Sequence, residues 1–361
     1  MASLVRLGVV GTGWMAAAMA RTAARLPGAK IAAVVSADPQ RARQFAQVFT
    51  IPHVCETHAE LVQRSDIDAI YVANRTSCHV SAASAALSAG KPVLVEKPVA
   101  AVWQEGERLV AEARARGVLL VENLWCLALP SYREFAARLH GGDYGTPVHF
   151  TFDFGYPVDR SSHPFLFELS DGGVLRDRAI YGLSLALRLL GPVRRMTSDI
   201  QFDAEGVDVA AAMQLTHAGG ASSQLAFALN SLMSNTATLA CTKGVLRLKA
   251  PAVGSEAISF QQTTPASQPR PLTGGTKARL VESVKAHPIA RRLNRRRTAP
   301  RTLALSYGSG PYEAVLQHFC DLVRAGRAES DLIPLSLTLE ALRLVDAARC
   351  AHPGSSAGAV E

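Results

Sequence analysis

Lys97, Asp177 and Tyr181 are residue types that together can move a proton at a carbon–oxygen bond. Lys97 stands in Val95-Glu96-Lys97-Pro98, and Asp177 and Tyr181 close the segment GGVLRDRAIY at 172–181. An alcohol loses a proton as hydride departs and a carbonyl gains one as hydride arrives, so such chemistry needs a positioned acid or base. Tyrosine, with an ordinary pKa of ~10, is a weak base. A neighbouring ammonium favours the phenolate, and Lys97 is expected to supply it. Asp177 would orient a substrate hydroxyl or hold Lys97. The competing reading makes Lys97 a surface lysine and Tyr181 an ordinary helix tyrosine.

Elements must bring these groups together. Pro98 restricts the backbone of the residue before it to extended conformations, which sets Lys97 at the carboxyl edge of a strand at 92–96. Asp177 and Tyr181, four apart on a helix expected over about 173–190, share one face. Upstream, LVRLGVV at 4–10 reads as a strand, GTG as a turn, WMAAAMARTAARL as an Ala-rich helix and IAAVVS at 31–36 as a second strand. The alternation runs on through strands at 69–73, 92–96 and 118–122, which implies a parallel sheet wound on both faces. After about residue 125 the runs VHFTFDFGY, VDVAAAMQLTH, SSQLAFALN, TATLACT and VLRLKA, joined by glycine turns, read as an antiparallel sheet. The expected fold is α/β: an N-terminal Rossmann doubly wound parallel sheet over 1–124, then a C-terminal α+β domain over 125–361 with an open, mostly antiparallel sheet. A surface excursion is expected over about 263–300, which is rich in Pro, Gly, Thr, Ser and Arg.

Gly11-Thr12-Gly13-Trp14-Met15-Ala16 fits G-x-G-x-x-A between a strand and a helix. Gly11 permits the tight turn, Gly13 lets the backbone approach a pyrophosphate, and Ala16 lets helix and strand pack closely. The helix N-terminus offers free N–H groups and a positive dipole end to the phosphates. An NAD site usually has an acid at the end of the second strand, where it holds the ribose 2′-hydroxyl. Ser36 stands there, Arg41 follows within a helical turn, and Asp38 before Pro39 reads as a helix N-cap. Ser36 and Arg41 suit a 2′-phosphate, so NADP is expected rather than NAD.

The 361 residues exceed what one core usually serves. With 48% hydrophobic and 19% charged residues the chain has the makings of real cores. The net charge of +8 is carried by 277–301, where nine Lys or Arg face a single acid, Glu282. Nucleic-acid binding rests on that stretch alone, which reads as a solvated loop or a docking arm. Six scattered cysteines without C-x-x-C spacing give neither a disulfide framework nor a zinc site. With no long apolar run and no separate leader, a cytoplasmic protein without metal is expected.

Taken together, GTGWMA at 11–16, AGKPVLVEKP at 89–98, the Glu122/Trp125/Pro130 spacing, DFG at 153–155, GGVLRDRAIY at 172–181, SNTATLACTKG at 234–244, and YEA followed by ESDLIPLS are specific in their order. The chain resembles the Gfo/Idh/MocA oxidoreductase family over nearly its whole length, nearest the dimeric dihydrodiol dehydrogenase and NADP-linked xylose dehydrogenase branch. The resemblance implies an NAD(P)-dependent oxidoreductase acting on a sugar, polyol or related small molecule. Lys97 and Tyr181 are then the catalytic pair, with Asp177 beside them. Gly11, Gly13, Trp14, Met15, Ser36, Arg41, Asn74, His79, Glu96 and Lys97 would meet the cofactor, although His79 reads better as a locally satisfied polar residue. Trp125 and Phe154 match pocket positions of that branch and could stack on a ring or serve as core. A homodimer or homotetramer through the C-terminal sheet is implied. The chain departs from the family where Leu127 replaces an arginine and where Arg178-Ala179 replace an apolar residue and glycine. A non-catalytic NADP-binding sensor or scaffold is the alternative, which turnover of NADPH would separate from an enzyme.

Overall fold

The computed structural model describes residues 3–263, 287–288 and 299–351. The expected excursion over 263–300 and its basic stretch fall almost wholly outside them. Among the described residues, no helix is long and apolar enough to cross a membrane and no His, Cys, Asp or Glu cluster is placed to hold a metal.

Val-rich segments form the first sheet: β1 Val5–Val10, β2 Ala29–Val35, β3 His53–Val54, β4 Ala69–Val72, β5 Val93–Val95 and β6 Leu120–Glu122. All pair in parallel in the order β3-β2-β1-β4-β5-β6. Their residues are buried almost without break, as expected of a sheet covered on both faces. Helices α1 Trp14–Arg25, α2 Pro39–Phe49, α3 His58–Gln63, α4 His79–Ser88 and α5 Trp103–Arg116 make the crossovers. α2 starts where the sequence places it. Asp38 Oδ1 accepts from the N–H of Gln40 at 2.8 Å and of Arg41 at 3.2 Å, with Pro39 in the first turn.

A 3-10 turn, Trp125–Ala128, and α6, Pro130–His140, lead into the second sheet. It holds eight strands in the order β14-β13-β12-β11-β7-β10-β9-β8. They are β7 Pro147–Gly155, β8 Val193–Phe202, β9 Asp208–His217, β10 Ser222–Ala228, β11 Ala237–Cys241, β12 Gly244–Leu248, β13 Ala257–Gln262 and β14 Arg301–Ala304. Every pairing is antiparallel except β7 with β10, which run parallel at the centre. α7 Ile180–Leu190 crosses this sheet, and Gly182 makes room, since a Cβ there would lie 2.8 Å from the Phe227 ring.

Two helices end the described residues, α8 Glu313–Arg324 and α9 Leu335–Cys350. α9 lies against α7 and α5, and its Leu335 and Leu342 join the core that covers the parallel sheet. The fit is close at Gly106 of α5, where a Cβ would sit 2.9 Å from Leu342 Cδ2.

Candidate active site

The glycine turn after β1 has the geometry a dinucleotide needs. Gly11 has φ +105°, and a Cβ there would lie 2.5 Å from the Ala73 carbonyl oxygen, so only glycine fits. Gly13 faces open space, with nothing within 4 Å of a Cβ position, and caps α1 with no side chain on the helix amides. Ser36 lies 3.4 Å from the Thr12 hydroxyl at the end of β2, and Arg41 is exposed on the first turn of α2. Asn74, just past β4, donates to the Cys78 carbonyl at 3.4 Å, while its Oδ1 is buried without a partner among the described residues.

The structure brings the three proposed reactive groups together. Lys97 Nζ donates to Asp177 Oδ1 at 2.6 Å and to the Asp177 carbonyl oxygen at 2.7 Å. It also lies 5.1 Å from the centroid of the Tyr181 ring. Trp125 Nε1 donates to the Tyr181 hydroxyl oxygen at 3.1 Å. Among the described residues no acceptor takes the Tyr181 proton. The rings of Trp14, Tyr312, Trp125, Tyr181, Phe154 and Tyr156 form a continuous row, each 5.1 to 6.3 Å from the next.

The electrostatics correct one expectation. Lys97 was expected to favour the phenolate of Tyr181, yet burial, with Cys126, Glu96 and Asp177 nearby, pushes the tyrosine well above its ordinary value. The ammonium faces the ring while Asp177 engages its charge. Tyr181 is therefore a phenol at neutral pH. Burial alone would raise Asp177 too, but Lys97 and Arg178 outweigh it and hold this carboxyl below its usual range.

Positioning comes from both sides. Leu175–Ala179 is one π-helical turn at the head of α7, a wide turn that is frequent at functional sites. Asp208 Oδ2 accepts from the N–H of Leu175 at 2.8 Å, and Gly173, with φ +97°, lets this carboxylate approach where a side chain would collide. Arg176 reaches the Ala101 carbonyl at 3.1 Å and those of Leu169 and Ser170 at 2.9 and 3.0 Å. Arg178 reaches the carbonyls of Tyr156 and Ala228. On the Lys97 side, Glu122 accepts from the Val99 N–H at 2.9 Å. Arg75 pairs with Glu168 at 2.6 Å, and Ser77 donates to Asp171 at 2.7 Å, so the loop after β4 is joined to the segment before the π turn.

Two residues expected at the cofactor lie within the fold instead. His79 is buried, and its Nδ1 and Nε2 face the carbonyls of Pro98 at 2.8 Å and Asn74 at 3.3 Å, which leaves no ring nitrogen for a ligand. Glu96 is 6% exposed and accepts from Tyr71 and, at 2.6 Å, from Asn123. Trp14 and Met15 follow Gly13, with Trp14 70% exposed. Sequence reasoning missed Tyr312, Tyr71, Asn123 and Asp208. Only Tyr312 carried a signal, as the first residue of the YEA motif.

Residues 5–124 match an oxidoreductase family with an NAD-binding Rossmann fold, and residues 132–247 match the GFO/IDH/MocA C-terminal domain. The chain is 30% identical to a dTDP-3,4-didehydro-2,6-dideoxy-alpha-D-glucose 3-reductase of Streptomyces antibioticus, over 94% of this chain and 98% of that one. It is 26% identical to the trans-1,2-dihydrobenzene-1,2-diol dehydrogenase of Oryctolagus cuniculus, over 85% of both. The fold resembles that of a 3-ketoreductase from Actinomadura kijaniata in complex with NADP and TDP-benzene, with a TM-score of 0.78, 23% identity, and 96% of this chain and 98% of that one covered. It also resembles a levoglucosan dehydrogenase in complex with NADH and levoglucosan, with a TM-score of 0.80, 16% identity and 96% of both chains covered.

Proposed function

Because the chain belongs to the Gfo/Idh/MocA oxidoreductase family, we propose that it is an NADP-linked reductase of a ketone carried by a sugar, polyol or related small molecule. Relatives named as a 3-reductase of a deoxy sugar and as a dihydrodiol dehydrogenase support that substrate class. The observation that carries the reading is the Tyr181 hydroxyl. Its ring faces the Lys97 ammonium at the carboxyl edge of the parallel sheet, its oxygen accepts from Trp125, and among the described residues no acceptor takes its proton.

The residues present fit a nicotinamide dinucleotide. The bare amides at the start of α1 and the open space over Gly13 suit the pyrophosphate. Ser36 and Arg41 suit a 2′-phosphate, because Asp38, the nearest acid, is already engaged as the cap of α2. The orphaned Asn74 Oδ1 suits a carboxamide. When bound, the cofactor supplies hydride.

Tyr181 donates its proton to the carbonyl oxygen as negative charge develops there. The Lys97 ammonium stabilises that charge, and Asp177 fixes where the ammonium points. Trp125 and Phe154 wall the pocket beside the reacting oxygen. The protein works in the cytoplasm and pairs with a second copy through the open face of the eight-stranded sheet.

Steady-state oxidation of NADPH and NADH against a panel of keto-sugars and diketones tests the reading. NADPH-linked turnover is expected, and Tyr181→Phe should lower it ~10²- to 10⁴-fold without loosening the cofactor. A variant within threefold of the parent would make the tyrosine structural. Tight NADPH binding with no turnover on any substrate would favour a sensor.

A further inference from the structure

Arg178 occupies a position where the family pattern has an apolar residue, yet it is 4% exposed in the heart of the site. Its Nη1 donates to the Tyr156 carbonyl at 3.0 Å and to the Ala228 carbonyl. Those two acceptors lie at the exits of β7 and β10, the parallel pair at the centre of the second sheet. The guanidinium lies 5.1 Å from the Phe154 ring centroid. Held by a sheet on one side and an aromatic ring on the other, it has little freedom to move. Its Nε makes no hydrogen bond and lies 3.6 Å from Asp177 Oδ2.

Asp177 therefore has a cation on each oxygen, Lys97 on Oδ1 at 2.6 Å and Arg178 on Oδ2. A lone lysine–aspartate pair would be self-neutralising, and an aspartate partly withdrawn from water, as Asp177 is, would keep its proton to higher pH. With two cations sharing one carboxylate, one positive charge is left over in the cluster.

We propose that Arg178 is a positioning residue that fixes the Asp177 carboxylate and keeps it ionised, so that the Lys97 ammonium retains charge toward the reacting oxygen. The consequence for catalysis rests on the reading of Lys97, Asp177 and Tyr181 as the reacting groups; the ionisation of Asp177 does not. The groups facing this carboxylate are Lys97, just after β5, and Arg178 and Tyr181 from its own helical segment, while Glu96 and Cys126 face Tyr181 and Tyr156 faces Arg178. Of these, only Lys97 and Arg178 are cations, and only Arg178 is replaceable without removing a proposed reacting group.

Two readouts on the full-length chain test this. Carboxyl ¹³C NMR of aspartate-labelled protein follows the Asp177 titration directly, with the resonance identified by its loss in Asp177→Asn. The acid limb of kcat follows the same ionisation through turnover. In Arg178→Gln, which can still donate to a carbonyl, both midpoints should rise by about one pH unit, so that kcat on the acid limb, below both midpoints, should fall about tenfold while kcat at pH 7 stays near the parent's, with the KM for NADPH unchanged. Arg178→Lys keeps the charge, so its two midpoints should return to within about 0.3 pH unit of the parent even if the protein melts earlier. An Asp177 midpoint that stays put in Arg178→Gln would overturn the proposal and leave Arg178 as a brace between strand ends. If Arg178→Gln does not fold, the lysine variant decides: a parental midpoint supports the charge role, and a midpoint raised as far as a neutral side chain predicts refutes it. If the parent chain reduces no ketone, the functional reading falls while the NMR titration still decides the ionisation.

Discussion

Replacing Glu122 by glutamine should make the protein more tolerant of alkaline pH. Glu122 is fully buried at the end of β6, with Oε1 accepting from Val99 and Oε2 without a hydrogen bond. Burial, only partly offset by Thr338 and the Val99 amide, pushes its carboxyl up to about 7 from the usual 4.5. Between those two values the folded protein holds a proton that the unfolded chain releases, so stability falls as pH rises through the window. A gap of roughly 2.5 pH units at ~1.4 kcal/mol each amounts to about 3 kcal/mol, fully developed above pH 7. About 2 kcal/mol of it should appear between pH 5 and pH 8. Glutamine keeps the acceptor for Val99 and cannot ionise. Urea unfolding of parent and Glu122→Gln at half-unit steps from pH 5 to pH 8.5 measures the difference, and contributions common to both proteins, such as those of the buried Asp208 and Asp346, cancel. Curves that run parallel within ~0.5 kcal/mol over the whole range would refute the reasoning.

Arg41→Ala should cost ~1.5 to 3 kcal/mol of NADPH affinity, as expected for hydrogen bonds to a charged group, and leave NADH nearly unchanged; calorimetric titration with both cofactors checks this, and equal losses would remove the 2′-phosphate assignment. Gly11→Ala forces an L residue to φ +105° against the Ala73 carbonyl and should destabilise the fold by roughly 1 to 3 kcal/mol. Gly13→Ala points into open space, so its melting temperature should stay near the parent's while NADPH binding weakens. Replacing residues 277–299 by a short Gly/Ser linker should leave turnover intact, with any change confined to association measured by sedimentation. Loss of catalysis with fold and assembly preserved would place that stretch in the active site.

Local signals carried the nucleotide half of the molecule. GTGWMA at 11–16 sits between an apolar run and an Ala-rich helix, so chemistry and geometry are written within a few residues of each other. Lys97 was legible for the same reason, since Pro98 and the strand before it fix its place. Distance explains what stayed hidden. The parallel pairing of β7 with β10 joins residues about seventy apart and has no local signature. β8, Val193–Phe202, lies at a sheet edge, where its charged and polar residues blur the alternation. α9 passed unnoticed although Leu335, Leu342 and Val345 are buried, because its apolar positions divide between α5 and α7 rather than forming one stripe. The electrostatics of Tyr181 are not legible, for a sequence names the cation beside it but not its burial or the Glu96 carboxyl and Cys126 thiol that other segments bring near.

The return of α9 to the first sheet has a consequence during synthesis. Residues 1–124 leave the ribosome with their strands in order, yet the surface that Leu335 and Leu342 cover, around Gly106 on α5, stays bare until the last tenth of the chain is made. At ~5–20 residues per second the interval between residue 124 and Leu342 is roughly 10 to 40 s. During that interval the nascent N-terminal third presents an apolar face to chaperones and to neighbouring chains on the same message. A C-terminal truncation before Leu335 would make that transient exposure permanent, so expression yield should respond to the loss of this helix more sharply than its distance from the nucleotide turn suggests.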